Sequence, residues 1–159
     1  MALRNILTEE EPLLHKTSRV VTDFDERLHT LLDDMRETLA DANGVGLAAP
    51  QVGVLRRVVL VDNGEKVLEL INPEILEQSG EQTGAEGCLS VPGRYGIVTR
   101  PNYVKVRAQD RYGNWFEEAG EALTARAFCH ELEHLDGHLY TEKVTHFLTE
   151  DEMEAMAQE

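Results

Sequence analysis

Positions 130–134 read His-Glu-Leu-Glu-His. On a helix, residues i and i+4 stand one above the other, so His130 and His134 present two imidazoles about 6 Å apart on one face. That spacing suits joint binding of one metal ion, with Glu131 beside the pair as a proton carrier. A catalytic metal of this kind takes three protein ligands and leaves one position for water. Another segment must therefore carry a third ligand up to this helix, which makes the helix a central element.

A helical wheel of about 100° per residue supports that placement. Leu132, Phe128, Leu135, Glu131, Ala127, His134, Leu123 and His130 fill one continuous arc. Asp136, Cys129, Glu133 and Arg126 fill the other. His130, Glu131 and His134 thus share the arc that reads as buried, where ionisable groups are costly unless paired or bound to metal. Cys88 is the candidate third ligand: a thiolate suits zinc or iron(II). It follows Glu86-Gly87, where a glycine lets backbone approach a site closely. Cys129 lies on the polar arc, away from both histidines, and reads as an inert or supporting residue. Gly44-Val45-Gly46-Leu47-Ala48-Ala49-Pro50-Gln51 is a run of small residues ending in an amide. It can serve as a tight helix-to-strand connection with an exposed Gln51. It can also bring backbone close to a ligand, with Gln51 donating to a developing oxyanion.

The 159 residues read as one domain, 1–159, of α+β class. Short antiparallel strands are expected around a central metal-binding helix, with an N-terminal helix and a short C-terminal one. The first helix spans 24–42 with Thr22 as N-cap: Leu28, Leu31, Leu32, Met35 and Leu39 follow the helical period, and Asn43-Gly44 is its stop. Hairpins are expected for 57–61 with 67–71, and for 103–109 with 115–118. The middle, 73–100, is rich in glycine and turn residues. The metal helix runs from about 121 to 136, and an acidic helix closes the chain at 149–158.

Fifteen basic against thirty acidic residues give a net charge of −15. Such a chain is a poor partner for DNA or any surface held by phosphate neutralisation. No stretch reaches the apolar length of a membrane span, and the start has no signal-peptide core. A cytoplasmic, reducing location is the expectation, and two cysteines there make no disulfide framework.

Three segments taken together, Gly44–Gln51, Glu86-Gly87-Cys88-Leu89-Ser90 and His130–His134, resemble the peptide deformylase family in motif and order. Residues 34–38, the 51–54 continuation, Ile71-Asn72-Pro73 and Leu135-Asp136-Gly137 extend the likeness over roughly residues 5 to 147. The resemblance implies removal of the formyl group from the N-terminal formylmethionine of nascent peptides. Cys88, His130 and His134 would hold one divalent metal, typically Fe2+, with Zn2+ or Ni2+ as replacements. Metal-bound hydroxide would attack the formyl carbonyl, with Glu131 moving the proton, and Gln51 and the Leu89 N–H holding the oxyanion. Val45 and Gly46, with Glu86 and Gly87, would bind the peptide as an added strand. The family position of Arg100 suits orienting an acidic group behind the site. Cys129 and Glu133 stand where many members carry Gln and Asp. Some members present a basic helix to the ribosome; here residues 150–154 are acidic, so any transient ribosome contact lacks that attraction.

Two rivals use the same residues. A His-Glu-x-x-His zinc peptidase needs no Cys88 but a further ligand downstream, where His138 is four residues past His134. A non-catalytic metal-binding or thiol-redox protein needs the ligands without Glu131.

Overall fold

The computed structural model describes residues 2–158. After a 3-10 turn at Pro12–His15, helix α1 runs Glu26–Ala42, and its five apolar residues at helical spacing are all buried. It starts later than Thr22 would set it. Asp25 is the N-cap, its carboxylate accepting the Leu28 N–H at 3.1 Å. Asn43 closes it in the left-handed region, at φ 54°.

The strands are β1 (Gly46–Ala48), β2 (Val58–Asp62), β3 (Val67–Ser79), β4 (Gln82–Cys88), β5 (Val91–Arg100), β6 (Tyr103–Gln109), β7 (Trp115–Glu121) and β8 (His146–Phe147). Helix α2 spans Leu123–Leu135, and α3 spans Glu150–Ala157, with Thr149 accepting the Glu152 N–H. Among the described residues, no helix is long and apolar enough to cross a membrane.

Both expected hairpins form, β2 with β3 and β6 with β7. The glycine- and turn-rich middle segment, given no elements from sequence, is largely strand. Residues 73–100 hold the second half of β3 and all of β4 and β5. Glu74–Ser79 are exposed on both faces, so no alternation marks them as strand. At Asn72 the backbone turns left-handed (φ 52°), and the register to β6 shifts between Ile71 and Glu74. The Asn72 side chain fixes this bulge by accepting from the Val21 N–H at 2.8 Å and donating to the Val21 carbonyl at 2.9 Å.

Two antiparallel sheets result, in the orders β1-β2-β3-β6-β7 and β4-β5-β8. Strand β2 shows how the larger sheet is used. Val58 and Leu60 pack toward α1, while Val59 and Val61 pack toward α2 with Phe128, Cys129 and Leu135. The smaller sheet covers α2 from the other side, with Val98 near Tyr140 and Leu139. Helix α2 is therefore enclosed on nearly all sides. This overturns the two-arc reading: Arg126 and Cys129, placed on the polar arc, are buried, whereas Leu123 on the apolar arc is 58% exposed. A wheel identifies the face toward one sheet; it does not reveal a second.

Candidate active site

Helix α2 stacks His130 above His134, with ring centroids 5.1 Å apart. Cys88 is the last residue of β4, where a two-residue turn reverses the chain into β5. The turn carries its sulfur onto the histidine face, 3.4 Å from His134 Nε2. One ligand atom from each of Cys88, His130 and His134 lies within 4.8 Å of the other two. Metal–sulfur and metal–nitrogen bonds of about 2.3 and 2.05 Å at a tetrahedral angle set S···N edges of about 3.5 Å. The Cys88–His134 spacing matches such an edge, and one sulfur with two imidazoles is a donor set for zinc or iron(II). His138 is outside this group: it is exposed and pairs with Glu142 at 3.0 Å. Cys129 is outside it as well, and burial pushes its thiol up.

Glu86 organises the layer behind the histidines. Its carboxylate lies 2.7 Å from His130 Nδ1 and accepts from Arg100 at 3.1 and 2.7 Å and from Arg126 at 2.8 Å. A carboxylate accepting at Nδ1 fixes the ring proton there and leaves Nε2 as a ligand. Arg100 continues to Glu133 at 2.7 Å, which also meets Lys143 at 2.6 Å. Arg100 thus orients an acidic group behind the site, as its family position suggests. Tyr140 stacks on the outer face of His130 at 5.8 Å.

Burial alone would raise Glu86, but hydrogen bonds and charge from His130 and Arg100 outweigh it and hold the carboxyl far below the usual range. Removing it leaves two buried guanidinium groups without their shared partner. Glu86→Ala is expected to lose about 3–5 kcal/mol of stability, checked by chemical denaturation. The sign with pH follows. A carboxyl depressed on folding stabilises above its unfolded value and loses that contribution as pH falls from about 4.5 toward its folded value. The unfolding midpoint of Glu86→Gln should therefore depend less on pH than that of the unaltered protein as pH falls below about 4.5.

Glu131 faces the opening. Burial pushes it up to about 7, opposed by the charge of His130. Its Oε1 is buried without a hydrogen-bond partner among the described residues, and its Oε2 lies 4.0 Å from His130 Nε2. Gly46 makes room for it, since a Cβ there would stand 2.5 Å from Oε2. His130 is raised: burial opposes its charged form, but Glu131, the Cys88 sulfur and Glu86 more than offset that. His134 is lowered by burial and by the His130 charge. Anionic groups around a buried imidazole pair make the centre favourable for a cation.

Gln51 is buried, contrary to the exposed alternative. It sits in a 3-10 turn after β1, and its Oε1 accepts the Ala48 N–H at 2.8 Å. Its amide donates to Ser90 Oγ at 3.0 Å and lies 3.6 Å from Cys88 Sγ. The N-terminal arm braces both loops: Leu7 N–H donates to the Gln51 carbonyl and Glu9 N–H to that of Ser90.

Gln51, Glu86, Cys88, His130 and Glu131 line one cleft of about 420 Å³, which also takes in Val45, Gly46, Gly87 and Leu89, with His134 buried behind it. It runs between β1 and β4, each the outermost strand of its sheet. Gly87 has a specific reason: a Cβ there would lie 2.5 Å from the Tyr95 ring. Sequence reasoning missed Arg126, Ser90 and Tyr140. For Arg126 the signal was its spacing of four residues before His130, which puts both on one helix face.

The residues also match known proteins. Residues 3–149 fit the model of the polypeptide deformylase family. The peptide deformylase of Agathobacter rectalis is 60% identical over 144 residues, 91% of either chain. Peptide deformylase 1 of Bacillus subtilis is 49% identical over 158 residues, covering 98% of this chain and 99% of that protein. The crystal structure of the Thermotoga maritima peptide deformylase superposes with a TM-score of 0.87 at 39% identity, covering 90% of this chain and 98% of that one. With a family model spanning most of its length and relatives this similar, the chain belongs to the polypeptide deformylase family, a family of hydrolases.

Proposed function

We propose that this protein removes the formyl group from the N-terminal formylmethionine of newly made polypeptides. In this reading Cys88, His130 and His134 hold one divalent metal, Fe2+ by family likeness, with Zn2+ or Ni2+ able to replace it. The observation that carries the reading is the convergence of one thiol and two imidazoles beside a buried carboxyl with an unpartnered oxygen. A metal held there would supply Lewis acidity and lower the pKa of a water toward neutrality.

The chain's own groups divide the remaining work. Glu131 takes the proton of the attacking water and passes it to the leaving amine, so formate and a free N-terminus result. A carboxyl near neutrality suits both halves of that transfer. The Gln51 amide donates to Ser90 Oγ and turns toward the Cys88 sulfur, beside the place where the oxyanion would form; shifting its second proton from that sulfur to the oxyanion makes it one donor, with the Leu89 N–H as the other. The peptide lies in the cleft as an added strand, along Val45-Gly46 on one side and Glu86-Gly87 on the other. That two outermost strands flank the cleft supports this placement. The Glu86 carboxylate points back to His130, so its share in peptide binding is through backbone. Both sheets and α2 contribute to the site, which supports reading 1–159 as one catalytic domain. A substrate emerging from the ribosome puts the reaction in the cytoplasm.

Formate release from a formyl-Met tripeptide tests the reading, on protein purified without air and with its metal content determined. Formate at substoichiometric enzyme, with internal peptide bonds left intact, is the expected result. Bound metal without formate would favour a non-catalytic protein, and cleavage of internal bonds a zinc peptidase. Gln51→Ala should lower kcat by about 10²- to 10³-fold, as for loss of one oxyanion donor. Steady-state kinetics check this, and an unchanged kcat removes Gln51 from the role.

A further inference from the structure

Two arginines of the cleft have no part in this mechanism: Arg94, which pairs with Glu9 and lies over the Phe147 ring, and Arg126, the one carried by α2. It stands four residues before His130 on α2, about 6 Å along the helix axis from it. It is only 6% exposed, and it lines the cleft with Leu123 and Ala127. Both of its hydrogen bonds run through Nη1, to Glu86 Oε1 at 2.8 Å and to the Val98 carbonyl at 3.2 Å. Those bonds fix the guanidinium plane. An arginine carries five N–H donors, and those on Nη2 and Nε have no protein acceptor among the described residues. Gly84 on β4 offers no side chain near Nη2, where a Cβ would lie 3.7 Å away. Neither nitrogen is among the buried atoms left without a partner, so these donors keep contact with solvent in the cleft and are free to meet a polar group that enters it.

We propose that Arg126 forms the polar end of the pocket for the substrate's first side chain, and that this pocket accepts methionine sulfoxide as well as methionine. The inference rests on the deformylase reading. With the formyl carbon at Cys88, His130 and His134, the first side chain can extend along α2 toward its N-terminus. It then ends about one turn away, roughly 5.4 Å, at the level of Arg126. A thioether is a weak acceptor, whereas a sulfoxide oxygen is a strong and chiral one. A wholly apolar pocket would reject the oxidised side chain because its S=O dipole would be buried unpaired. A fixed guanidinium accepts it and favours one epimer. Chains whose initiator methionine has been oxidised then remain substrates. The chemistry at the formyl group is the same hydrolysis, and the sulfoxide is only bound.

The test compares kcat/KM on metal-loaded protein for four tripeptides alike except at the first residue: formyl-methionyl, formyl-norleucyl and the two separated formyl-methionine sulfoxide epimers. The better epimer should come within about threefold of methionine, and the two epimers should differ. In Arg126→Leu, the ratio of the better epimer to norleucine should fall by about tenfold or more. That ratio is insensitive to the fraction of protein folded or loaded, because both substrates meet the same active molecules. An unchanged ratio overturns the proposal. Should Arg126→Leu not fold, the unaltered protein still decides: both epimers more than about thirtyfold behind norleucine mean an apolar pocket and overturn it. Absence of turnover on the methionine substrate would instead overturn the deformylase reading, and this inference with it.

Discussion

Cys88→Ala is expected to lose metal and turnover together. Among the described residues the sulfur is one of three ligand atoms drawn together, and the one that comes from outside α2. Without it two imidazoles on one helix face remain, and that pair lacks the soft ligand that suits zinc and iron(II). Losing a mere supporting partner of a metal ligand costs 10- to 100-fold in affinity or activity, so loss of a ligand should cost more than about 10²-fold. Metal per chain after dialysis, measured beside formate release, checks the claim. Both should fall, and excess metal should restore little of the activity. The fold should survive, because Cys88 is only partly buried and packs at the margin of a small cluster around Tyr140. A Cys88→Ala protein that keeps its metal and its rate would remove Cys88 from the site and leave the histidine pair to a different chemistry.

How much of this centre was legible in sequence depends on how local each signal is. His130 and His134 are linked by helix periodicity alone, so their pairing was readable without knowledge of the fold. The five buried residues of α1 were readable for the same reason. The two hairpins were marked by turn residues between apolar runs. Cys88 was reachable only as a candidate. Its meeting with His134 depends on β4 and β5, and the exposed stretch before them has no periodicity. Cys129 is no ligand, as read, but the polar-arc placement of Arg126 and Cys129 does not hold, since both are buried. Helix periodicity reports one apolar face, and a charged residue reads as solvent-facing unless its partner is known. The partner of Arg126 is Glu86, forty residues earlier on a strand that carried no clear signal. Gln51 was left open between an exposed and a buried role, because its burial depends on Ser90 and on the N-terminal arm folding back over both loops.

Glu131 allows the ligand role and the proton role to be separated. Glu131→Ala is expected to keep the metal and lose most turnover, since the carboxyl is not among the converging ligand atoms. General acid–base catalysis contributes about 10²- to 10⁴-fold, and Glu131 carries both transfers in this mechanism. The loss should therefore fall in the upper part of that range and appear in kcat with little change in KM. Glu131→Gln is the sharper comparison. The amide keeps the shape that packs over Gly46 but cannot take a proton from water. If the two variants are equally slow, the proton function accounts for the loss. If Glu131→Gln is near normal while Glu131→Ala is slow, the residue serves to fill space above Gly46. Near-normal kcat in both would place the proton on another group, and no other ionisable side chain in the cleft has a buried oxygen without a partner.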